Sequence, residues 1–498
     1  MRYRFFGFLL IALLLSMAGC KSNFLDSTAD SPAQIQPQSP PVPIVVDGVR
    51  TSYADVVDKT SLAVVQIEAE VKSKQATQQN PLLDDPQLKE FFRNLPQQPQ
   101  PQRPRIQRGV GSGVIVSADG TILTNYHVVG DAQKITVLMN DNRSFSAKIV
   151  GSDQPSDLAV LKVESENLPF LNLGNSDNVR IGDIVLAIGN PLGIGQTVTA
   201  GIISAKGRRT GLSDGSFEDF LQTDAPINQG NSGGALVNLS GELIGINSQI
   251  LSGGGSGGNI GIGFSIPSNM AKSVMEQLVQ TGRVRRGMLG VNIQNITADT
   301  AKALELKDTK GVLVSNVRSG SSAEKAGIKR GDIITAINGE RVEDSNTLRN
   351  KVAGTLPGNS IKISVLRGDA QQEFTARLDE FNAETDKPES STEDKKDSGN
   401  SSENGKLGLS LQSATPEILK QLGLPDDTKG LVVTEVDQNG AAAEVGIVRG
   451  DVIVEINRNS VETTEQVQSA LEKSGDRPVL LLINRKGQTI YLTVAPGR

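Results

Sequence analysis

The chain of 498 residues carries a single histidine, His127. A neutral imidazole can take a proton from a hydroxyl near physiological pH. A serine hydroxyl is a poor nucleophile until such a base stands beside it. The stretch Gly230-Asn231-Ser232-Gly233-Gly234 places one hydroxyl among three glycines, the residue type favoured where backbone bends sharply or approaches a ligand closely. Alone, that string is more often a plain turn. The imidazole also needs a carboxylate to fix its tautomer. Asp157 offers one, directly before the apolar run "LAVLKV"; Asp153 is a near competitor without such a run behind it. The bland alternatives are a buried structural histidine at 127 and a strand-start turn residue at 157. Taken together, the three types in the order His, Asp, Ser are a constellation for nucleophilic hydrolysis.

These residues need elements to hold them. From Val45 to Pro267 the pattern is short alternating or apolar runs separated by glycine turns, such as "GVIVSADGTILTNYHVV", "ITVLMN", "IVLAIG" and "ELIGINSQI". Val and Ile dominate, which predicts an antiparallel sandwich or barrel. His127 then ends one strand, Asp157 heads another, and Ser232 lies in a loop. A Gln/Pro-rich insertion over 78–107 interrupts the pattern, with a short helix predicted to start at Asp85-Pro86. "PSNMAKSVMEQLVQTG" predicts a helix with Met270, Val274, Met275 and Leu278 as its apolar positions. Further on, "AGIKRGDIITAING" from Ala326 is repeated as "VGIVRGDVIVEINR" from Val445, an offset of 445 − 326 = 119. Two copies of one module follow, over about 283–379 and 406–498, each long enough for its own core. The acidic, polar segment 380–405 between them reads as a disordered linker.

Composition removes several classes. Net charge is −6 and there is no Trp, so basic stripes and base-stacking platforms are absent and nucleic acid is not an expected partner. One Cys and one His exclude zinc sites built from Cys/His clusters. No cofactor or metal is expected. "GGGSGG" at 253–258 lacks the Lys-Ser/Thr of a phosphate loop and reads as a loop near the site. Arg2 and Arg4 precede an apolar run, Phe5–Met17, ending in Ser16-Met17-Ala18-Gly19-Cys20. That is a secretory signal over 1–20 that resembles a lipobox, with Cys20 as the lipidated first mature residue. Ordinary cleavage after Ser-Met-Ala is the alternative. Residues 21–45 read as a flexible tether. The expected location is the periplasm, anchored to a membrane through Cys20.

"TNYHVV", "SDLAVLKV" and "GNSGGAL" resemble the catalytic boxes of trypsin-like serine proteases, in the wording of the HtrA (Deg) family. The resemblance extends to "EFFRNLPQQ", "IGFSIPSNMAK" and the paired C-terminal modules. It implies an all-β protease domain over 46–282, a double six-stranded antiparallel β-barrel, followed by two α+β PDZ domains. Ser232 would be the nucleophile, His127 the general base and acid, and Asp157 the orienting carboxylate; Asp183, Asp214 and Asp224 sit outside the matching box. The oxyanion hole would be framed by Gly230, Asn231 and Ser232, with the N–H groups of Gly230 and Ser232 as donors. Asn231 stands where zymogen-activated relatives have the Asp that pairs with a new N-terminus. The family therefore implies switching by ordering of loops 190–196, 207–216 and 249–259 with the 78–107 insertion. The substrate pocket would be formed by Ile227, Gln249 and Ile250, with Pro226 at the floor, and would suit small aliphatic residues.

"RGMLGV" at 286 and "GKLGLSL" at 405 resemble PDZ carboxylate-binding loops. A PDZ domain captures a C-terminus by strand addition. Leu289 and Gly290 would hold the carboxylate, and Val291, Ile293, Leu348 and Val352 would line the side-chain pocket. Leu407, Gly408 and Leu409, with Leu411, Val467 and Leu471, would do so in the second copy. An arginine, Arg286, precedes only the first loop glycine. The family implies unfolded polypeptides and protein C-termini as partners, and trimers or larger cages. The expected function is an ATP-independent extracytoplasmic serine endoprotease acting on unfolded, damaged or mislocalised proteins. A chaperone or PDZ scaffold with a mostly latent protease domain is the rival.

Overall fold

The computed structural model describes residues 45–46, 49–72, 106–191, 195–210, 217–228, 230–252, 258–382 and 407–495. The signal segment with Cys20, nearly all of the tether, residues 78–105 of the insertion, most of the glycine run, residues 383–405 of the acidic linker, and residues 192–194 and 211–216 of the two loops 190–196 and 207–216 lie outside the described residues. The chain divides into two units, Met1–Asp55 and Val56–Arg498. In the first, Val45–Val46 pairs antiparallel with Val49–Arg50.

The second unit begins with two closed six-stranded barrels. Around the first, the order is Val64–Lys72, Ile106–Ser117, Thr121–Thr124, Leu158–Val163, Ser144–Asp153 and Lys134–Leu138. Around the second it is Thr197–Arg208, Phe220–Thr223, Asn259–Pro267, Leu243–Ser252, Ala235–Asn238 and Ile184–Gly189. Closure removes the unpaired strand edges that an open sheet would expose. Apolar residues of the runs noted in the sequence supply the fillings: the β-branched Val65, Ile67, Ile115, Ile122 and Val160 in the first barrel, and Val185 and Ile203 with Leu221 and Leu236 in the second. Each such side chain contributes about 1.5–3 kcal/mol by leaving water. The Asp119-Gly120 turn joins two strands of the first barrel: Gly120 takes φ +88° and the Asp119 carboxylate accepts the Thr121 N–H at 3.1 Å.

Helix Ser268–Thr281 follows the second barrel and packs on Leu243–Ser252 of that barrel and on Ser144–Asp153 and Leu158–Val163 of the first. Its buried face is Ser268, Ala271, Val274 and Leu278, while Met270 and Met275 are half-buried. The stripe follows 100° per residue, which puts 271, 274 and 278 on one side and turns both methionines partly away.

The repeat folds twice into the same six-stranded sheet, five strands in one row and a two-residue strand, Glu340–Arg341 or Asn459–Ser460, paired with the third of them. In the first copy the order is Val291–Asn295, Val312–Val317, Ile333–Ile337, Ser360–Arg367 and Ala370–Arg377, with helix Ser345–Gly354; in the second it is Leu409–Ser413, Leu431–Val436, Val452–Ile456, Val479–Arg485 and Gln488–Val494, with helix Thr464–Ser474. The repeated Arg-Gly-Asp explains part of this identity. Asp332 is 1 % exposed and takes both arms of Arg367 at 2.7 Å; Asp451 is fully buried and takes both arms of Arg485 at 2.7 Å. A buried carboxylate needs this bidentate partner. The two copies share an apolar contact of Ile296, Leu313 and Ile333 with Leu480, Leu482 and Tyr491.

Candidate active site

His127 enters the site from the short helix Tyr126–Val129, directly after the strand Thr121–Thr124. Asn125, fully buried, ties this turn to the next: its amide donates to the Asp157 carbonyl at 3.0 Å, beside the Tyr126 N–H at 3.1 Å. Asp157 closes the turn Gln154–Ser156 with φ +54°, a left-handed conformation that Asp tolerates better than most residues. Its carboxylate meets His127 Nδ1 at 2.9 and 3.0 Å and accepts the His127 backbone N–H at 3.0 Å. With a carboxylate at Nδ1, the proton belongs on Nδ1 and the exposed Nε2 is left as the basic nitrogen.

Ser248 completes this arrangement. Its hydroxyl donates to Asp157 Oδ2 at 2.8 Å, so the carboxylate is gripped from three sides. Nothing in the sequence signals Ser248, because a serine in the strand "INSQI" matches no pattern. The Ser248 carbonyl in turn accepts the Ser232 hydroxyl at 2.9 Å. Among the described residues no hydrogen bond joins Ser232 Oγ to the imidazole. The hydroxyl must leave the Ser248 carbonyl to reach the base; contacts of this kind often tighten only with substrate.

Around Ser232 the glycines have steric reasons. Gly230 has φ +97°, and a Cβ there would lie 2.5 Å from the Pro191 Cβ. Gly233 has φ +82°, and a Cβ there would lie 2.1 Å from the Ser112 carbonyl oxygen. The Asn231 N–H donates to the Asn228 carbonyl at 2.9 Å, so this residue shapes the turn and offers no free main-chain donor. At the pocket, Ile227 is 1 % exposed and belongs to the core of the second barrel, with Ile250 half-buried against it. The half-buried Gln249 amide donates to Thr210 Oγ1 at 3.1 Å. The Pro226 carbonyl accepts Thr199 Oγ1 at 2.8 Å.

Both repeated modules present the loop and edge strand expected of them. Gly290 and Gly408 take φ +78° and +72°, and their carbonyls accept the N–H of Arg318 and Asp437 at 2.9 and 2.8 Å. Leu289 and Leu407 are buried. Among the described residues, strands Val291–Asn295 and Leu409–Ser413 each pair on one side only, with Val312–Val317 and Leu431–Val436. Of the apolar residues assigned to the pockets, Leu348, Val352, Leu409, Val467 and Leu471 lie in the cores, while Val291, Ile293 and Leu411 are partly buried against them.

Residues 111–246 match the trypsin-like peptidase domain family, and residues 287–378 and 432–485 each match the PDZ domain family. The chain is 42% identical over 450 residues to the "Probable periplasmic serine endoprotease DegP-like" of Chlamydia trachomatis, covering 88% of this chain and 87% of that one. It is 40% identical over 488 residues to the "Periplasmic pH-dependent serine endoprotease DegQ" of Escherichia coli, covering 97% and 98%. This chain belongs to the HtrA/Deg family of serine endoproteases. Among solved structures, the HtrA-type protease AlgW with tripeptide aligns with a TM-score of 0.53 at 42% identity, covering 66% of this chain and 98% of that one.

In this HtrA-family chain the near competitor Asp153 has its own task. It is 7 % exposed and binds Arg286, 8 % exposed, at 2.8 and 2.5 Å. The same carboxylate accepts the Ser156 N–H at 3.0 Å, one residue before Asp157. Arg286 precedes the first PDZ loop glycine but faces the protease barrel, not the carboxylate loop. The guanidinium also stacks over Phe217, 4.6 Å from the ring centroid, with Arg349 at 4.8 Å. Phe217 donates its N–H to the Pro155 carbonyl at 2.7 Å, and the Glu218 carbonyl accepts the amides of Asn346 and Asn350 from the PDZ helix at 2.9 and 2.8 Å. Nearby, burial and the Asp177 and Asp344 carboxylates push Asp219 up to about 6. The turn carrying Asp157 is thus wired to the first PDZ domain.

Proposed function

We propose that Ser232 is the nucleophile, His127 the general base and then acid, and Asp157 the carboxylate that orients the imidazole. The observation carrying this is the Asp157 carboxylate on His127 Nδ1 at 2.9 Å, with the Ser232 turn adjoining through Ser248. His127 Nε2 takes the Ser232 proton as Oγ attacks the scissile carbonyl. The N–H groups of Gly230 and Ser232 meet the oxyanion, and the imidazolium then protonates the leaving amine. No step draws on ATP. Ile227, Gln249 and Ile250 form the substrate pocket. The hydrogen bond from Ser232 to Ser248 marks a resting state, left when the loops around Gly230 order.

The substrates are unfolded, damaged or mislocalised proteins of the periplasm. The PDZ loops at Leu289-Gly290 and Leu407-Gly408 take C-termini along the edge strands that begin at Val291 and Leu409. The chain works as a trimer or larger cage, held to a membrane through a lipid on Cys20. Casein, an unfolded substrate, is expected to be cleaved without ATP, and Ser232→Ala to lose that cleavage completely. Fragment patterns on gels check this; equal cleavage by the variant would remove Ser232 from the mechanism.

A further inference from the structure

One hydroxyl outside the proposed triad joins the parts that must move together. Ser112 is fully buried on strand Ile106–Ser117. Its hydroxyl donates to the Gly230 carbonyl at 2.6 Å and accepts the Asn190 N–H at 2.8 Å. Its own N–H donates to the Ser232 carbonyl at 2.8 Å. Its carbonyl accepts the Thr124 hydroxyl at 2.7 Å, and Thr124 ends the strand that leads to His127.

We propose that Ser112 is a positioning residue for the oxyanion hole, fixing the Gly230–Asn231 peptide against the head of the 190–196 loop. The inference rests on the reading of Ser232 as nucleophile and of Gly230 as a donor. A hydroxyl has a single proton to give, and here it goes to Gly230. Gly230 sits at φ +97° with no side chain to restrain it. Such a residue can reorient its peptide planes unless something holds them. Among the described residues three things hold it: the Ser112 hydroxyl on its carbonyl, the Asn231 N–H of the same peptide on the Asn228 carbonyl at 2.9 Å, and Pro191 packed where a Cβ would be. Asn190, the second partner of Ser112, directly precedes Pro191. The same hydroxyl therefore couples the head of that loop to the donor turn. Without it, the buried Gly230 carbonyl and Asn190 N–H lose their partner, and the turn gains reason to rotate toward other ones.

Only interactions made in the transition state are affected, so kcat should fall while KM stays. Removing an oxyanion donor outright costs roughly 10²–10³ in kcat. Misaligning one through Ser112→Ala should cost about 10-fold to 100-fold, with KM within about twofold. The full chain is assayed on a peptide substrate below its melting temperature, beside wild type and Ser232→Ala. A peptide boronate, whose oxygen occupies the hole in its adduct with Ser232, should lose affinity by the same factor as kcat. A purely structural role would lower the melting temperature and leave both unchanged in the folded protein. Ser112→Cys leaves no cavity, puts a slightly larger and weaker donor in the same place, guards against failure of the alanine variant to fold, and should lose kcat several-fold. Full kcat in either folded variant, or a loss shared with KM, overturns the proposal. If wild type and Ser232→Ala are equally active, the nucleophile assignment fails instead.

Discussion

Asp157→Asn is expected to lower kcat by about 10⁴, with the protein folded and KM little changed. The carboxylate accepts from His127 Nδ1, from the His127 N–H and from Ser248 Oγ. An asparagine amide has one accepting oxygen and a donating NH₂ in the same space. If the NH₂ faces the imidazole, the ring must present an unprotonated Nδ1 and carries its proton on Nε2. The base then has nothing to accept with. The fold should tolerate the change, since φ +54° at 157 is a conformation that Asn adopts readily. Steady-state kinetics with a melting curve separate the two effects. A kcat within about tenfold of wild type would mean that the carboxylate does not set the tautomer.

Asp153→Ala should cost about 3–5 kcal/mol in the transition that unfolds the protease barrel together with the first PDZ domain. Removing the carboxylate leaves Arg286, 8 % exposed, as an unpaired buried charge, and takes the acceptor from the Ser156 N–H. The cost comes from the orphaned charge more than from the lost attraction. Adding Arg286→Met should therefore recover much of the loss, because the double variant replaces a buried pair by apolar volume. Urea unfolding of the two singles and the double checks this. Additive losses would show that each residue acts alone.

The catalytic wording was the most legible part of the chain. The three boxes each sit at a strand end or turn, and barrel formation from period-2 runs puts those ends together. The module repeat was equally legible, because Asp332 and Asp451 recur with the same arginine clamps. What stayed hidden depends on contacts distant in sequence. Ser112 and Ser248 are ordinary serines in strands until closure of the barrels sets them against Gly230 and Asp157. Arg286 stands next to Gly287 of the PDZ loop in sequence. The fold turns it 133 positions back, to Asp153. Apolar alternation could not separate groove from core either. Leu348 faces the interior at 1 % exposure, while Val291 on the edge strand is only partly buried.

The central claim is that Ser232 is a hydroxyl activated by His127, held in reserve on the Ser248 carbonyl. A fluorophosphonate probe reacts with such a serine and with few others, and mass spectrometry of the digested adduct locates it. We expect one adduct, on Ser232, forming faster when a hydrophobic C-terminal peptide occupies the PDZ loops, and none in Asp157→Asn on the same timescale. An adduct elsewhere, or labelling of Ser232 at equal rate in Asp157→Asn, would contradict the account.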